Sequence, residues 1–181
     1  MVDEVQTGLG RTGEWFGFQH WLRNGDERPD VVTMAKALGN GMPIGACWAK
    51  REVAASMKPG DHATTFGGTP LATAAALAVL DVMRRDDVPA LARRAAARLT
   101  DELVTVPGVA DVRGLGLLMA VELGAANAKA VYSRLIEIGL VTNAVTESAL
   151  RLAPPLNVTD GEISEAVALI AQAIRDVQGA P

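Results

Sequence analysis

The sequence predicts an α/β protein with two parts, the end of a larger domain built on a covered parallel sheet and a small α+β domain after it. Three observations support this fold class: β-branched stretches closed by glycine-rich turns near the start, two consecutive helical patterns in the middle, and alternating strand and helix patterns towards the end. We place the large-domain part at residues 1–86, a connecting helix region at 87–107 and the small domain at 108–181.

The first part contains three predicted strands, at residues 2–6, 30–35 and 44–49. Because parallel sheets carry helices on both faces, we expect these strands to be buried. A long helix is predicted over Leu71–Arg85, since Thr69 can cap it and Pro70 suits its first turn. These few strands are less than a covered sheet needs, so we expect that the beginning of the domain is missing.

The second part alternates strands and helices after the interruption at residues 86–89. Its predicted elements are, in order, a helix over Pro89–Val104, strands over Val109–Val112 and Leu115–Leu123, a helix over Ala128–Ile138, strands over Leu140–Asn143 and Leu150–Leu152, and a helix over Gly161–Val177. Thr159 and Asp160 provide the start signal of the last helix, whose apolar residues recur at helical spacing. This part is therefore predicted to form a compact unit of its own.

The composition excludes several classes of function. The net charge is −4, and no cluster of lysine and arginine exceeds a pair, which argues against binding to nucleic acid or to an anionic membrane. One cysteine and two histidines give no disulfide framework and no metal site. The longest apolar run, Leu71 to Leu80, is half of the ~20 residues that cross a bilayer, and no secretory signal opens the chain. We expect a soluble, cytoplasmic protein.

The stretch VVTMAKALGNGMPIGA, residues 31–46, places Lys36 between an apolar run and a glycine-rich loop. A lysine held in apolar surroundings loses part of its preference for the charged form, and its free amine is then a nucleophile that can condense with an aldehyde. The alternative is a lysine whose stem lies on an apolar surface and whose charge reaches solvent, which is commoner for a lone lysine. Its partners in the sequence decide between the two.

Asp3 ends the first predicted strand, at the edge where open α/β sheets bind ligands. A carboxylate at such a position can keep the ring nitrogen of pyridoxal phosphate (PLP) protonated, which makes the ring an electron sink. The segment HATTFGGTP, residues 62–70, offers backbone N–H groups and hydroxyls before a helix start, which suit a phosphate. A solvated loop pair and an ordinary capped turn are the alternatives for these two features.

Four stretches together resemble consecutive motifs of the class III, fold type I, PLP-dependent aminotransferases: VDEVQTGLGRTGEWFGFQHW, PDVVTMAKALGNGMPIGA, HATTFGGTPLATAAALAVL and ALRLAPPLNVT. The resemblance covers essentially the whole chain, in order. It implies the C-terminal part of a fold type I large domain followed by the small C-terminal domain. It also implies transfer of an amino group between an amino acid and a 2-oxo acid.

The resemblance assigns roles to individual positions. Lys36 is the counterpart of the catalytic lysine that holds PLP covalently. Asp3 matches the residue that pairs with the pyridine nitrogen, Val5 the residue that packs on the ring face, and Gln6 the residue that contacts the ring hydroxyl. Thr65 matches the threonine that reaches the cofactor phosphate of a neighbouring subunit, which implies a homodimer.

Arg151 matches the arginine that grips the substrate carboxylate, and its alternative is a surface arginine on a strand. The similarity is greatest to family members that use N-acetylornithine and 2-oxoglutarate in arginine biosynthesis, and ornithine or 4-aminobutyrate remain alternative donors. About half of a family subunit, including its main phosphate loop, has no counterpart before Asp3. A non-catalytic, partner-binding fragment and a binding domain without PLP are therefore further alternatives.

Overall fold

The computed structural model describes residues 1–22 and 28–179, and the chain divides into two compact units, Met1–Pro89 and Ala90–Pro181. The first unit contains a three-stranded sheet and the second a four-stranded sheet. In the described part of the chain, every helix is too short or too polar to span a bilayer.

The sheet of the first unit consists of β1 (Val2–Asp3), β2 (Val31–Met34) and β3 (Ala46–Ala49), in that order. β1 pairs in parallel with β2, and β2 pairs antiparallel with β3. The predicted strands are present but shorter. β1 ends early because the side chain of Asp3 accepts a hydrogen bond from the N–H of Val5, which turns the backbone out of the sheet.

Two helices belong to the first unit, α1 (Arg51–Ala54) and α2 (Pro70–Arg85). α2 begins as predicted, since the Thr69 side chain accepts a hydrogen bond from the N–H of Ala72. α2 packs against a single 3-10 turn at Lys36–Leu38, and a second 3-10 turn lies at Gly17–His20. α2 therefore supports the turn that carries the candidate lysine.

The expectation that all three strands are buried is wrong. Ala46, Cys47 and Trp48 of β3 are exposed, and Val32 is the buried residue of the described sheet. β3 is an edge strand, and among the described strands it pairs with β2 alone. The sequence of these strands therefore predicts a sheet that is buried on both faces, whereas three of the four residues of β3 are exposed.

The second unit is built from helices on an antiparallel sheet. Its elements are α3 (Val88–Leu103, whose first two residues belong to the first unit), β4 (Val109–Leu115), β5 (Leu118–Leu123), α4 (Ala128–Glu137), β6 (Asn143–Ala144), β7 (Ala149–Leu152) and α5 (Asp160–Gln178). The strand order is β4-β5-β7-β6. α3, predicted within the connecting region, contributes Leu99 and Leu103 to the core of this unit.

One face of this sheet is buried and the other is more exposed. The residues of β5 alternate between half-buried and buried, with Met119, Val121 and Leu123 facing the core.

The strand predicted over Leu140–Asn143 begins only at Asn143. The N–H of Leu140 is instead used to close α4, by donating to the carbonyl of Leu135, so the next residues form a connection.

Candidate active site

The parallel pairing of β1 and β2 brings the predicted cofactor residues to one edge of the sheet. Asp3 lies opposite Thr33 in the register, and Lys36 follows Thr33 by three residues. Val5 and Gln6 continue directly from Asp3 and are half-buried. Because the carboxyl ends of parallel strands share an edge, Asp3, its two successors and Lys36 all lie where open α/β sheets place their ligands.

The carboxylate of Asp3 is exposed but oriented. Its Oδ1 accepts a hydrogen bond of 2.9 Å from the N–H of Val5 and one of 3.1 Å from the hydroxyl of Thr33. Among the described residues, no donor contacts Oδ2. One oxygen is thus held by the protein, and the other can accept a hydrogen bond from a ligand.

Glu4 is a buried carboxylate, so the alternative of a solvated loop pair does not hold for this residue. It is 1% exposed, and its side chain accepts hydrogen bonds from the hydroxyl of Thr7 and from the N–H groups of Gly17 (2.9 Å) and Phe18 (2.8 Å). A Cβ on Gly17 would come within 3.1 Å of this carboxylate. Glu4 therefore fastens the loop that follows Asp3 and carries Gln6.

Lys36 is exposed, so the interpretation in which apolar neighbours hold its amine out of water is wrong for the described residues. The physical reason is the turn: Lys36 has a φ of +42°, and its neighbour Leu38 is directed into the unit, with 6% exposure, rather than over the amine. A left-handed backbone costs a non-glycine residue about 1–2 kcal/mol. Such strain persists where the surroundings impose it, and it concentrates at functional sites.

The glycine-rich loop after Lys36 is closely packed. A Cβ on Gly39 would lie 2.2 Å from the carbonyl oxygen of Met42 and 2.7 Å from Cγ2 of Ile44. The N–H of Asn40 donates to the carbonyl of Lys36 over 3.2 Å, and that of Met42 to the carbonyl of Gly39 over 3.0 Å. The loop therefore closes back on the lysine turn and fixes its backbone.

Thr65 lies in the exposed segment before α2, and its hydroxyl contacts no partner among the described residues. Its neighbour Thr64 is used locally, because its hydroxyl accepts a hydrogen bond of 3.0 Å from the N–H of Gly67. Thr69 caps α2 in the same way. Of the three threonines in this segment, Thr65 is the one whose hydroxyl is available to a ligand or to another chain.

Arg151 lies in the second unit, on β7, opposite Ala120 of β5 and Asn143 of β6. It is exposed, and it forms no ion pair within the described ranges. It lines a cleft of about 270 Å³ together with Thr142 and Asn143, behind which lie apolar side chains such as Leu140 and Val158. A guanidinium with free donors in a mainly apolar cleft is suited to a carboxylate.

Sequence analysis missed Thr142 and Asn143. Asn143 is brought beside Arg151 by strand register, which a single sequence does not reveal. The hydroxyl oxygen of Thr142 is buried without a hydrogen-bond partner among the described residues. A buried hydroxyl without a hydrogen-bond partner lowers the free energy of unfolding by about 1–3 kcal/mol, so the hydroxyl of Thr142 destabilises the folded unit.

Comparison with known proteins identifies the family. The model of the family described as "Aminotransferase class-III" matches residues 1–174 of this chain. The acetylornithine aminotransferase of Corynebacterium efficiens is 46% identical over 177 residues, which are 98% of this chain and 43% of that protein. The acetylornithine aminotransferase of Archaeoglobus fulgidus is 42% identical over 170 residues, which are 94% of this chain and 43% of that protein.

Solved structures give the same result. An acetylornithine aminotransferase from Elizabethkingia anophelis matches with a TM-score of 0.83 and 32% identity, over 96% of this chain and 46% of that one. An ornithine aminotransferase from Toxoplasma gondii, described with partial occupancy of PLP at its active site, matches with a TM-score of 0.83 and 35% identity, over 98% of this chain and 43% of that one.

This chain belongs to the class III aminotransferase family, which confirms both the resemblance of its motifs and the predicted α/β fold. It spans less than half of the length of the curated relatives it matches. PLP is the cofactor of this family of enzymes, and two observations show that the described residues fit it. Asp3 presents an oriented carboxylate with one oxygen left to accept a hydrogen bond, and Lys36 is exposed at the same sheet edge.

Proposed function

We propose that this chain carries the lysine-bearing part of a cytoplasmic, PLP-dependent aminotransferase that moves an amino group between N-acetylornithine and 2-oxoglutarate in arginine biosynthesis. The observation that carries the proposal is the oriented carboxylate of Asp3 on the strand next to the one that leads to Lys36. The substrate is supported by relatives named acetylornithine aminotransferase, such as those of Corynebacterium efficiens at 46% identity and Bifidobacterium longum at 44%.

The roles of the residues follow from their chemistry. When bound, PLP provides an electron sink for the carbon that bears the amino group. Lys36 would hold the cofactor through its amine and, once an amino donor has displaced it, would take a proton from that carbon as general base and deliver it as general acid to the cofactor carbon that the lysine had held. Asp3 holds the proton on the ring nitrogen through its free oxygen, Oδ2.

The remaining roles are the ones that the resemblance to the family motifs implies. Val5 covers one face of the ring, and Gln6 binds the ring hydroxyl from the loop that Glu4 fastens. Thr65, whose hydroxyl is free, binds the cofactor phosphate of the partner subunit in a homodimer. Arg151 binds a substrate carboxylate with its planar fork of donors.

Chemical trapping tests this proposal. The purified protein is incubated with PLP, reduced with borohydride and mapped by mass spectrometry. We expect a pyridoxyl adduct on Lys36, its loss in Lys36→Ala, and its retention in Lys58→Ala, an exposed lysine of the same unit. Glutamate formation is then measured with N-acetylornithine and 2-oxoglutarate, and we expect it to fall by at least about 10³-fold in Lys36→Ala. Labelling of Lys36 and Lys58 to the same extent would contradict the proposal.

Two other functions have an observation in their favour. Solved ornithine aminotransferases from Toxoplasma gondii and Plasmodium falciparum match with TM-scores of 0.83 and 0.84, which favours ornithine as the amino donor. The exposure of Lys36 favours a chain that binds a partner without catalysis. Ornithine and 4-aminobutyrate are therefore assayed beside N-acetylornithine, and absence of both adduct and glutamate with every donor would support the non-catalytic function.

A further inference from the structure

Thr33 is a residue of the candidate site to which neither the family motifs nor the comparisons assign a role. It lies on β2, opposite Asp3, and its carbonyl accepts a hydrogen bond of 2.9 Å from the N–H of Glu4. Its hydroxyl donates to Oδ1 of Asp3 over 3.1 Å. The backbone pairing therefore sets the distance between this hydroxyl and the carboxylate.

The hydrogen bond between Thr33 and Asp3 fixes the orientation of the Asp3 carboxylate. An exposed aspartate rotates freely about its side-chain bonds, and a ligand that needs one orientation must stop that rotation at a cost in entropy. In this structure two donors, the N–H of Val5 and the hydroxyl of Thr33, hold the same oxygen. Since threonine is β-branched, its own rotamer is restricted, so the donor is itself held in place.

We propose that Thr33 is a positioning residue for the cofactor: it fixes the Asp3 carboxylate so that Oδ2 faces the protonated ring nitrogen of PLP. This inference rests on the proposed function, because it assigns Asp3 to that nitrogen. Thr33 itself does not touch the cofactor in this arrangement. It acts through Asp3, by a hydrogen bond to a charged acceptor.

The test replaces the hydroxyl without changing the shape of the side chain. Thr33→Val keeps the β-branched form that suits a strand and removes only the donor, whereas Thr33→Ser keeps the donor. The matched control is Thr73→Val on α2, an exposed threonine whose hydroxyl bonds only to backbone carbonyls. Thr33→Ala, which also lacks the hydroxyl, repeats the measurement with a smaller side chain if Thr33→Val does not fold.

The dissociation constant of PLP is measured by fluorescence titration of each variant. Loss of one hydrogen bond to a charged group predicts about tenfold weaker binding for Thr33→Val, and binding within about twofold of the unsubstituted protein for Thr33→Ser and Thr73→Val. The pH at which the visible absorbance of the bound cofactor changes should move in Thr33→Val only. In the Asp3→Ala background, Thr33→Val should weaken binding by less than about twofold, because the acceptor is gone.

Two results would overturn the inference: Thr33→Val binding PLP as tightly as Thr73→Val, or Thr33→Ser binding as weakly as Thr33→Val. A full effect of Thr33→Val in the Asp3→Ala background would also overturn it, since the hydroxyl would then act elsewhere. Failure of the proposed function gives a different pattern, in which the unsubstituted protein neither binds PLP nor forms the adduct on Lys36. That pattern would remove the role of Thr33 together with the function.

Discussion

The two units of the chain differ in what they bury. In the second unit the sheet has a buried face, with Val121 and Leu150 at 0% exposure. In the first unit, among the described strand residues, only Val32 is buried, and the candidate lysine is open to solvent. The unit proposed to bind the cofactor is thus the one whose sheet is less buried by the residues of its own unit. Substitutions should therefore affect stability mainly in the second unit and ligand binding mainly in the first.

The largest expected effect is a loss of packing in the second unit. Leu150→Ala removes a fully buried side chain and should lower the free energy of unfolding by about 2–5 kcal/mol. Leu77→Ala on α2, where the leucine is 64% exposed, should change it by less than about 0.5 kcal/mol. Urea unfolding is followed by far-ultraviolet circular dichroism, to which the helices of both units contribute. An equal decrease in the free energy of unfolding in the two variants would contradict the expected difference between the two units.

The buried carboxylate of the first unit should give the next largest effect. Glu4→Gln places an amide N–H₂ against the N–H of Gly17 or of Phe18, so one buried donor loses its acceptor. This should lower the free energy of unfolding by about 1–3 kcal/mol. Tryptophan fluorescence measures it, because all three tryptophans belong to the first unit. Glu52→Gln on α1, an exposed position, is the matched control, and a loss as large there would show that Glu4 is not special.

Arg151 should affect binding without affecting stability, although it lies in the well-packed unit. Arg151→Lys replaces a bidentate fork by a single ammonium, which should raise the KM for the carboxylate-bearing substrate about tenfold while kcat falls less. The melting temperature should not change, because the side chain is exposed. Arg175→Lys on α5 is the control, and an equal rise in KM there would exclude a specific role for Arg151.

The smallest effect concerns the start of α5 and depends on pH. Hydrogen bonds from the N–H (2.7 Å) and the hydroxyl (2.8 Å) of Thr159 hold the pKa of the Glu162 carboxyl below its usual value. A pKa lowered by folding gives a stabilisation that is complete above the unfolded value and is lost as the pH falls through the folded one.

Glu162→Gln should therefore flatten the decline of the melting temperature of the protein between about pH 6 and pH 3. Glu165→Gln, on the same helix, is the control for removal of one negative charge. A decline as steep in Glu162→Gln as in the unsubstituted protein would show that the capping carboxylate does not contribute.

Much of the fold could be predicted from local chemistry. α2 and α5 begin where Thr69 and Thr159 accept hydrogen bonds from the backbone, as helix-start signals indicate. The end of α4 was predicted to within one residue, whereas the strand after it was not. That strand begins where pairing with β7 becomes possible, and the pairing depends on a partner distant in sequence.

The candidate site was predictable in its chemistry but not in its contacts. The motifs indicated Asp3 and Lys36, yet they did not reveal that Glu4 is buried or that Thr33 faces Asp3, since both facts depend on strand register and loop closure. Apolar neighbours in sequence also misled the prediction for Lys36. In a tight turn, side chains adjacent in sequence point in different directions, so they do not enclose one another.

The packing of the loop after Lys36 also makes Gly39, a residue without a side chain, intolerant of substitution. Every missense change of the Gly39 codon adds at least a Cβ, and that atom would meet the Met42 carbonyl at 2.2 Å. The loop would then have to open, and the backbone of the lysine turn would move with it. A harmful allele at codon 39 would therefore remove no reacting atom, and its defect would be one of geometry alone.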